Sequence, residues 1–202
     1  MPATRAPTRI QQKNRRAILE AALDVFSAHG FRGATVDQIA QQAGLSKPNL
    51  LYYFRTKEQI FQTLMSDLLD TWLDPLRAMN PEGEPLDEIL GYVRRKLELS
   101  RTHPRESRLF ANEIVQGAPR IHASLSTDLR SLVDDKTTLI QSWIDAGRIA
   151  PVHPYHLIFS IWSLTQHYAD FDVQVRAVMG GADPFETAPE FLDAMYRRLL
   201  TP

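Results

Sequence analysis

The 202-residue chain contains no cysteine, which excludes disulfides, thiolate nucleophiles and cysteine-ligated zinc. No run approaches the roughly 18 consecutive apolar residues of a membrane-spanning helix, and the opening MPATRAPTRI has no apolar stretch to serve as a signal sequence. A cytoplasmic protein with no membrane contact is therefore expected. Gly-rich phosphate loops, a nucleophile elbow and paired-carboxylate motifs are also missing, so the chain does not read as an enzyme and no cofactor is expected. It has little net charge either, −1 with histidine neutral.

That small total hides an asymmetry. Residues 1–57 carry nine Lys and Arg against three acids, a net of +6, and the remainder carries 14 against 21, a net of −7. Phosphate binding gains free energy by releasing condensed counterions, so the basic end suits a polyanion. An apolar content of 44% is enough for one small and one larger module. Residues 1–10, with two Pro and nothing but basic charge, read as a flexible basic arm.

The pattern is helical throughout. Thr35 and Gln38 have capping-box spacing and open a helix that Gly44 ends. Ser46 is a second N-cap, and Pro48 sits in the next first turn, where a missing N–H does no harm. This short helix runs to Phe54, and Thr56 with Gln59 opens a third. Val36, Ile39, Ala40, Ala43, Leu45, Leu50 and Leu51 are expected to face inward. The arrangement is a helix-turn-helix, supported by a helix over 11–29 that Gly30 stops.

Further helices are expected over 56–78 (broken near Pro75), 86–102, 104–117, 120–146, 154–178 and 185–200. The expectation is all-α with about nine helices: a three-helix DNA-binding domain over 11–57, then a six-helix ligand-sensing and dimerisation domain over 58–202.

The stretch ILEAALDVFSAHGFRGATVDQIAQQAGLSKPNLLYYFRTKEQIF resembles the DNA-binding domain of TetR-family transcriptional regulators, through its G-F-x-x-x-T turn, I-A-x-x-A-G-L-S turn and Y-Y-F-x-x-K-E-x-I ending. DTWLDPLRA, RRKLELSR, SRLFANEI and HLIFSIWSLTQHYADF resemble a narrower group, the pyrimidine-utilisation repressors. The resemblance implies a DNA-binding regulator, acting as a repressor on pyrimidine-catabolism genes and released from operator DNA by uracil, thymine or a related pyrimidine.

It also implies residue roles. Lys47 and Asn49 are placed to address base edges or phosphate, and Tyr52 and Tyr53 to bond phosphate, with core filling the alternative for Tyr53. Thr35 and Ser46 offer helix N-termini to phosphates beside Pro48, and Lys57 closes the far side. Arg16 and Arg32 add general attraction. One short helix covers few base pairs, so a homodimer on double-stranded operator DNA is expected. Its surface is assigned to Leu157, Ile158, Ile161, Leu164, Tyr168, Phe185, Phe191, Leu192, Met195 and Leu199, with an intrachain core as the alternative.

For the effector, Trp162 and Gln166 share a helix face, and with Trp72 they offer stacking surfaces and a carboxamide to a flat ring. Leu73, Leu76, Lys96, Ser100, Asn112, Tyr168 and Asp170 are the neighbouring candidates, and Glu113 is a second polar position beside Asn112. Another aromatic or apolar ligand remains an alternative. So does a metal or enzyme site built from His153, His156, His167, Asp170 and Asp172, although their spacing suits ordinary surface and interface positions better.

Overall fold

The computed structural model describes residues 8–202, so most of the arm expected over 1–10 lies outside the described residues. The chain forms two compact units, the first ending at Leu68 and the second spanning Leu69–Pro202. The described residues contain helices and turns and no strand.

In the first unit, α1 (Arg9–Gly33) begins two residues earlier than the sequence suggested. Thr8 and Gln11 form a reciprocal capping box there, a signal overlooked because the basic arm was expected to reach Ile10. The helix direction breaks at Gly30, whose φ of 65° is open to a residue without Cβ. Next come α2 (Val36–Gln42) and α3 (Lys47–Tyr53), followed by α4 (Lys57–Arg77), whose first turns belong to this unit. Ile18, Ala22 and Phe26 of α1, Ile39 of α2, Leu50, Phe54, and Ile60 and Phe61 of α4 are the buried core. Phe26, Phe31 and Phe61 pack with centroids 5.0, 5.1 and 5.8 Å apart. Leu51, expected inside, is exposed on α3.

The second unit holds the rest of α4, then α5 (Pro85–Thr102), α6 (Pro104–Val115) and α7 (His122–Ser124), which continues through a wider π-helical turn, Leu125–Leu129, into α8 (Arg130–Asp145). After these come α9 (Pro154–Asp170), α10 (Asp172–Val178) and α11 (Ala188–Leu200). With the α7–α8 run counted once, there are ten helices among the described residues.

Two boundaries differ from expectation. Pro75 does not break α4, which remains helical to Arg77. Proline forfeits one hydrogen bond, and the helix ends only two residues later, where Lys136 Nζ donates to the carbonyls of Arg77 and Met79 at 3.1 Å each. The long helix expected over 154–178 is two, parted at Phe171 (φ −114°, ψ 29°). No residue of α10 is buried, so beyond Ala169 the core no longer dictates the chain's direction.

Tyr92, Val93 and Leu97 of α5 pack in one core with Ile140 and Trp143 of α8, Leu157, Ile158 and Ile161 of α9, and Leu192, Tyr196 and Leu200 of α11. Burying an aliphatic side chain of this kind stabilises by about 1.5–3 kcal/mol.

Candidate DNA interface and effector site

In the first unit, the turn between α2 and α3 is closed by Leu45 N–H donating to the Ala40 carbonyl (2.9 Å) around Gly44, whose φ of 67° suits glycine. Thr35 caps α2 as expected: its Oγ1 accepts from Gln38 N–H (3.2 Å), while Gln38 Oε1 accepts from Thr35 N–H (2.8 Å). Ser46 caps α3 by accepting from Asn49 N–H (3.4 Å). Lys47, Pro48 and Asn49 stand exposed on the first turn of α3. Lys47 Nζ lies 2.8 Å from Asp37, with both side chains at least half exposed, so this pair is weak and yields readily to a phosphate.

Tyr52 is 71% exposed, whereas Tyr53 is half-buried. Neither hydroxyl is left to solvent alone. Gln11 Nε2 donates to Tyr52 OH (3.2 Å), and Asn14 Nδ2 donates to Tyr53 OH (2.9 Å). Lys57, expected to reach a phosphate, has its ammonium on the carbonyls of Phe31 and Ala34, 2.8 Å each, and 4.5 Å from the centre of the Phe31 ring. This lysine clasps the end of α1.

In the second unit, two rows with four-residue spacing face each other. Tyr92, Lys96 and Ser100 lie on α5, and Trp162, Gln166 and Asp170 on α9. Trp162 Nε1 donates to Tyr92 OH (2.6 Å), and Lys96 interacts electrostatically with Asp170. Lys96 is only 3% exposed, and its Nζ sits 4.2 Å from the centre of the Trp72 ring, where the π-face replaces lost hydration. Burial still lowers its pKa to about 7, against the opposing pull of Asp170. Burial pushes the Asp170 carboxyl up, while the hydroxyl of Ser107, donating to it, and the charge of Lys96 hold it down. Burial likewise pushes the Tyr92 phenol well above its ordinary range, so it stays protonated.

Trp72, Leu73, Leu76 and Ser100 are all buried, and Gln166 is half-buried with no hydrogen bond among the described residues. Gln166 shares a face of α9 with Trp162, across from the Lys96–Trp72 pair on α5 and α4, and these four side chains are the candidate niche for a small ring bearing hydrogen-bonding edges.

Two candidates fall elsewhere. Asn112 is exposed on α6. Its neighbour Glu113, 3% exposed, is occupied by Arg120, accepting from the backbone N–H (2.9 Å) and the guanidinium (2.7 Å). Tyr168 projects from a different face of α9, with its ring 5.9 Å from that of Phe185. Conversely, Tyr92 and Ser107 belong with the site and were missed. Tyr92 was findable as the residue one turn before Lys96, whereas Ser107 comes from α6 and gives no local signal. Among the described residues no cluster of three or more His, Asp or Glu could hold a metal ion.

Of the expected dimer surface, Leu157, Ile158, Ile161 and Leu192 are buried in the chain's own core and are not available to a second copy. Leu164, Tyr168, Phe185 and Met195 are partly buried against that core, and Phe191 and Leu199 on α11 are exposed. Tyr155 and Phe159 on α9, outside that expected set, are exposed as well. Ser160 and Tyr196 join these two helices at 3.0 Å.

A helix-turn-helix unit with a partly exposed reading helix, linked to an all-helical unit with buried polar and aromatic side chains facing one another, has the make-up of a ligand-responsive regulator of transcription. The bacterial regulatory protein model of the tetR family matches residues 18–64, and the YcdC-like protein C-terminal region matches 65–202. The chain belongs to the TetR family and is a DNA-binding transcriptional regulator, not an enzyme. It is 50% identical over 173 residues to the HTH-type transcriptional regulator RutR of Escherichia coli O157:H7, covering 86% of this chain and 82% of that one. The RutR protein of Shigella flexneri is 49% identical with the same coverage. Among solved structures, the transcriptional regulator SCO4942 from Streptomyces coelicolor superposes with a TM-score of 0.74 at 22% identity, covering 93% of this chain and 98% of that one, a likeness of fold.

Proposed function

We propose that this regulator is a homodimeric repressor that holds a two-fold-symmetric operator and releases it when a pyrimidine such as uracil or thymine occupies the niche between Trp72, Lys96, Trp162 and Gln166. The observation that carries this reading is the half-buried, unpaired carboxamide of Gln166 one turn from Trp162. A uracil edge presents acceptor, donor and acceptor in sequence, and a carboxamide matches two of these while an indole covers the ring. The resemblance of DTWLDPLRA and HLIFSIWSLTQHYADF to pyrimidine-utilisation repressors supports the same ligand class.

At the DNA end, Asn49 reads a base edge, while Lys47, Thr35, Ser46, Pro48, Tyr52 and Tyr53 line the phosphate track and Lys57 braces it. The exposed rows Tyr155–Phe159 and Phe191–Leu199 meet a second copy. Helix α4 carries Lys57 at its start and Trp72 near its end, so a ligand that prefers one tilt of α4 changes the spacing of the two reading helices. A coupling of about 1–3 kcal/mol lowers operator affinity roughly five- to 150-fold.

Calorimetric titration with uracil tests the niche. Saturable binding is expected for the wild type and a loss of at least about tenfold in Gln166→Ala, in keeping with an unpaired polar edge. Unchanged affinity in that variant removes Gln166 from the site.

A further inference from the structure

The start of α1 carries a second feature besides its cap. A backbone N–H can only donate, so the Thr8 N–H, 2.8 Å from Gln11 Oε1, fixes which end of that carboxamide is the oxygen. The NH2 end then faces Tyr52, at 3.2 Å from the hydroxyl. An amide nitrogen has no lone pair to offer, so the Tyr52 oxygen must accept. Its single proton is therefore directed away from α1, on a side chain that is 71% exposed. One turn along the same face, Asn14 Nδ2 meets the Tyr53 hydroxyl at 2.9 Å in the same sense, and the two rings stand edge to face with centroids 5.2 Å apart.

We propose that Gln11 and Asn14 are positioning residues for DNA binding: they hold the Tyr52 and Tyr53 hydroxyls as proton donors aimed at phosphate oxygens. This rests on the reading of both tyrosines as phosphate contacts. A phosphate oxygen accepts and never donates, so a phenol whose proton is spent on its own protein has nothing to give it. The capping box at the head of α1 thus sets the polarity of a side chain on α3, 41 residues away in sequence. Gln11 and Asn14 touch no base and need not touch phosphate, so their effect passes through the tyrosines.

Gln11→Glu separates the two jobs of Gln11. Glutamate still accepts from the Thr8 N–H, which is the other standard form of the capping box, but its second oxygen accepts from Tyr52 and turns the phenol proton inward. The added negative charge also repels DNA, and the same charge added in a Tyr52→Phe background subtracts that part. The experiment is a double-mutant cycle on the full-length protein, with affinity measured by fluorescence anisotropy on the duplex that the wild type selects from a randomised pool. The four proteins are first compared by thermal melting.

The Gln11→Glu loss is expected to be about three- to tenfold larger with tyrosine at 52 than with phenylalanine, a coupling in the usual range for contacting polar groups. Equal losses in the two backgrounds overturn the orienting role. A Tyr52→Phe variant that binds DNA as tightly as wild type overturns the phosphate contact itself, and the orienting role with it. The Asn14→Asp and Tyr53→Phe cycle is the independent second arm, with the same expected coupling, and it decides if Gln11→Glu fails to melt as a folded protein.

Discussion

Replacing Lys96 by methionine should make the protein more stable at neutral pH, and the gain should vanish in alkali. Lys96 is 3% exposed and its pKa falls from 10.5 to about 7, a difference that corresponds to about 5 kcal/mol disfavouring the charged form in the folded state. The Trp72 face, 4.2 Å from Nζ, returns about 1–2 kcal/mol, leaving a net cost near 3 kcal/mol. Because the folded-state value is the lower one, the unfolded chain holds more protons in the window below pH 10.5, and stability rises with pH there by up to about 1.4 kcal/mol per unit until the net cost of about 3 kcal/mol is recovered. Below about pH 7 both states are protonated and the full cost is present. Methionine fills a similar volume without charge. Urea unfolding of wild type and Lys96→Met is the assay, since their difference cancels the titrations that Lys96 does not influence, and Asp170, which it does influence, is a carboxyl that titrates below the range compared. Methionine should be ahead by about 3 kcal/mol near pH 6.5 and by less than about 1 kcal/mol near pH 10. A difference that stays constant over that range would refute the claim that a buried, costly charge sits at the site.

The other expectations concern separate parts of the chain. Glu113→Gln leaves the Arg120 guanidinium facing an amide NH2 in a pocket where the carboxylate was 3% exposed, and should cost about 3 kcal/mol by urea unfolding; a loss below about 1 kcal/mol would mean the pair is dispensable. Phe191→Asp, at a side chain 57% exposed, should yield a folded monomer by size-exclusion with light scattering, while Leu192→Asp, fully buried one residue on, should unfold the chain; a dimer that survives Phe191→Asp places the interface elsewhere. Lys47→Ala should weaken binding to all duplexes and lower the salt slope by about 1, whereas Asn49→Ala should relax preference at one base position; equal relaxation in both would merge their roles.

Features fixed by neighbours in sequence were legible. The caps at Thr35 and Ser46, the turn at Gly44 and the stop at Gly30 depend on a few adjacent residues, and all stand where their spacing placed them. The rows Trp162–Gln166–Asp170 and Trp72–Leu76 follow equally from helical period. What depends on distant partners was not legible. Lys57 reads as a cation free for phosphate until the carbonyls of Phe31 and Ala34 are seen to hold it. Asn112 and Glu113 are adjacent polar residues, and only the fold tells which one turns inward. Leu157 and Leu192 look like interface residues in sequence because one apolar period serves a core and a dimer seam alike. The break at Phe171 had no glycine or proline to announce it.

The central claim, that a pyrimidine in the niche governs the grip on DNA, is tested most directly by anisotropy of the selected duplex titrated with protein, with and without saturating uracil at fixed salt. The account predicts that uracil raises the dissociation constant roughly five- to 150-fold, and that Gln166→Ala binds the duplex normally but loses this response. Uracil that binds the protein yet leaves the duplex affinity unchanged would contradict it.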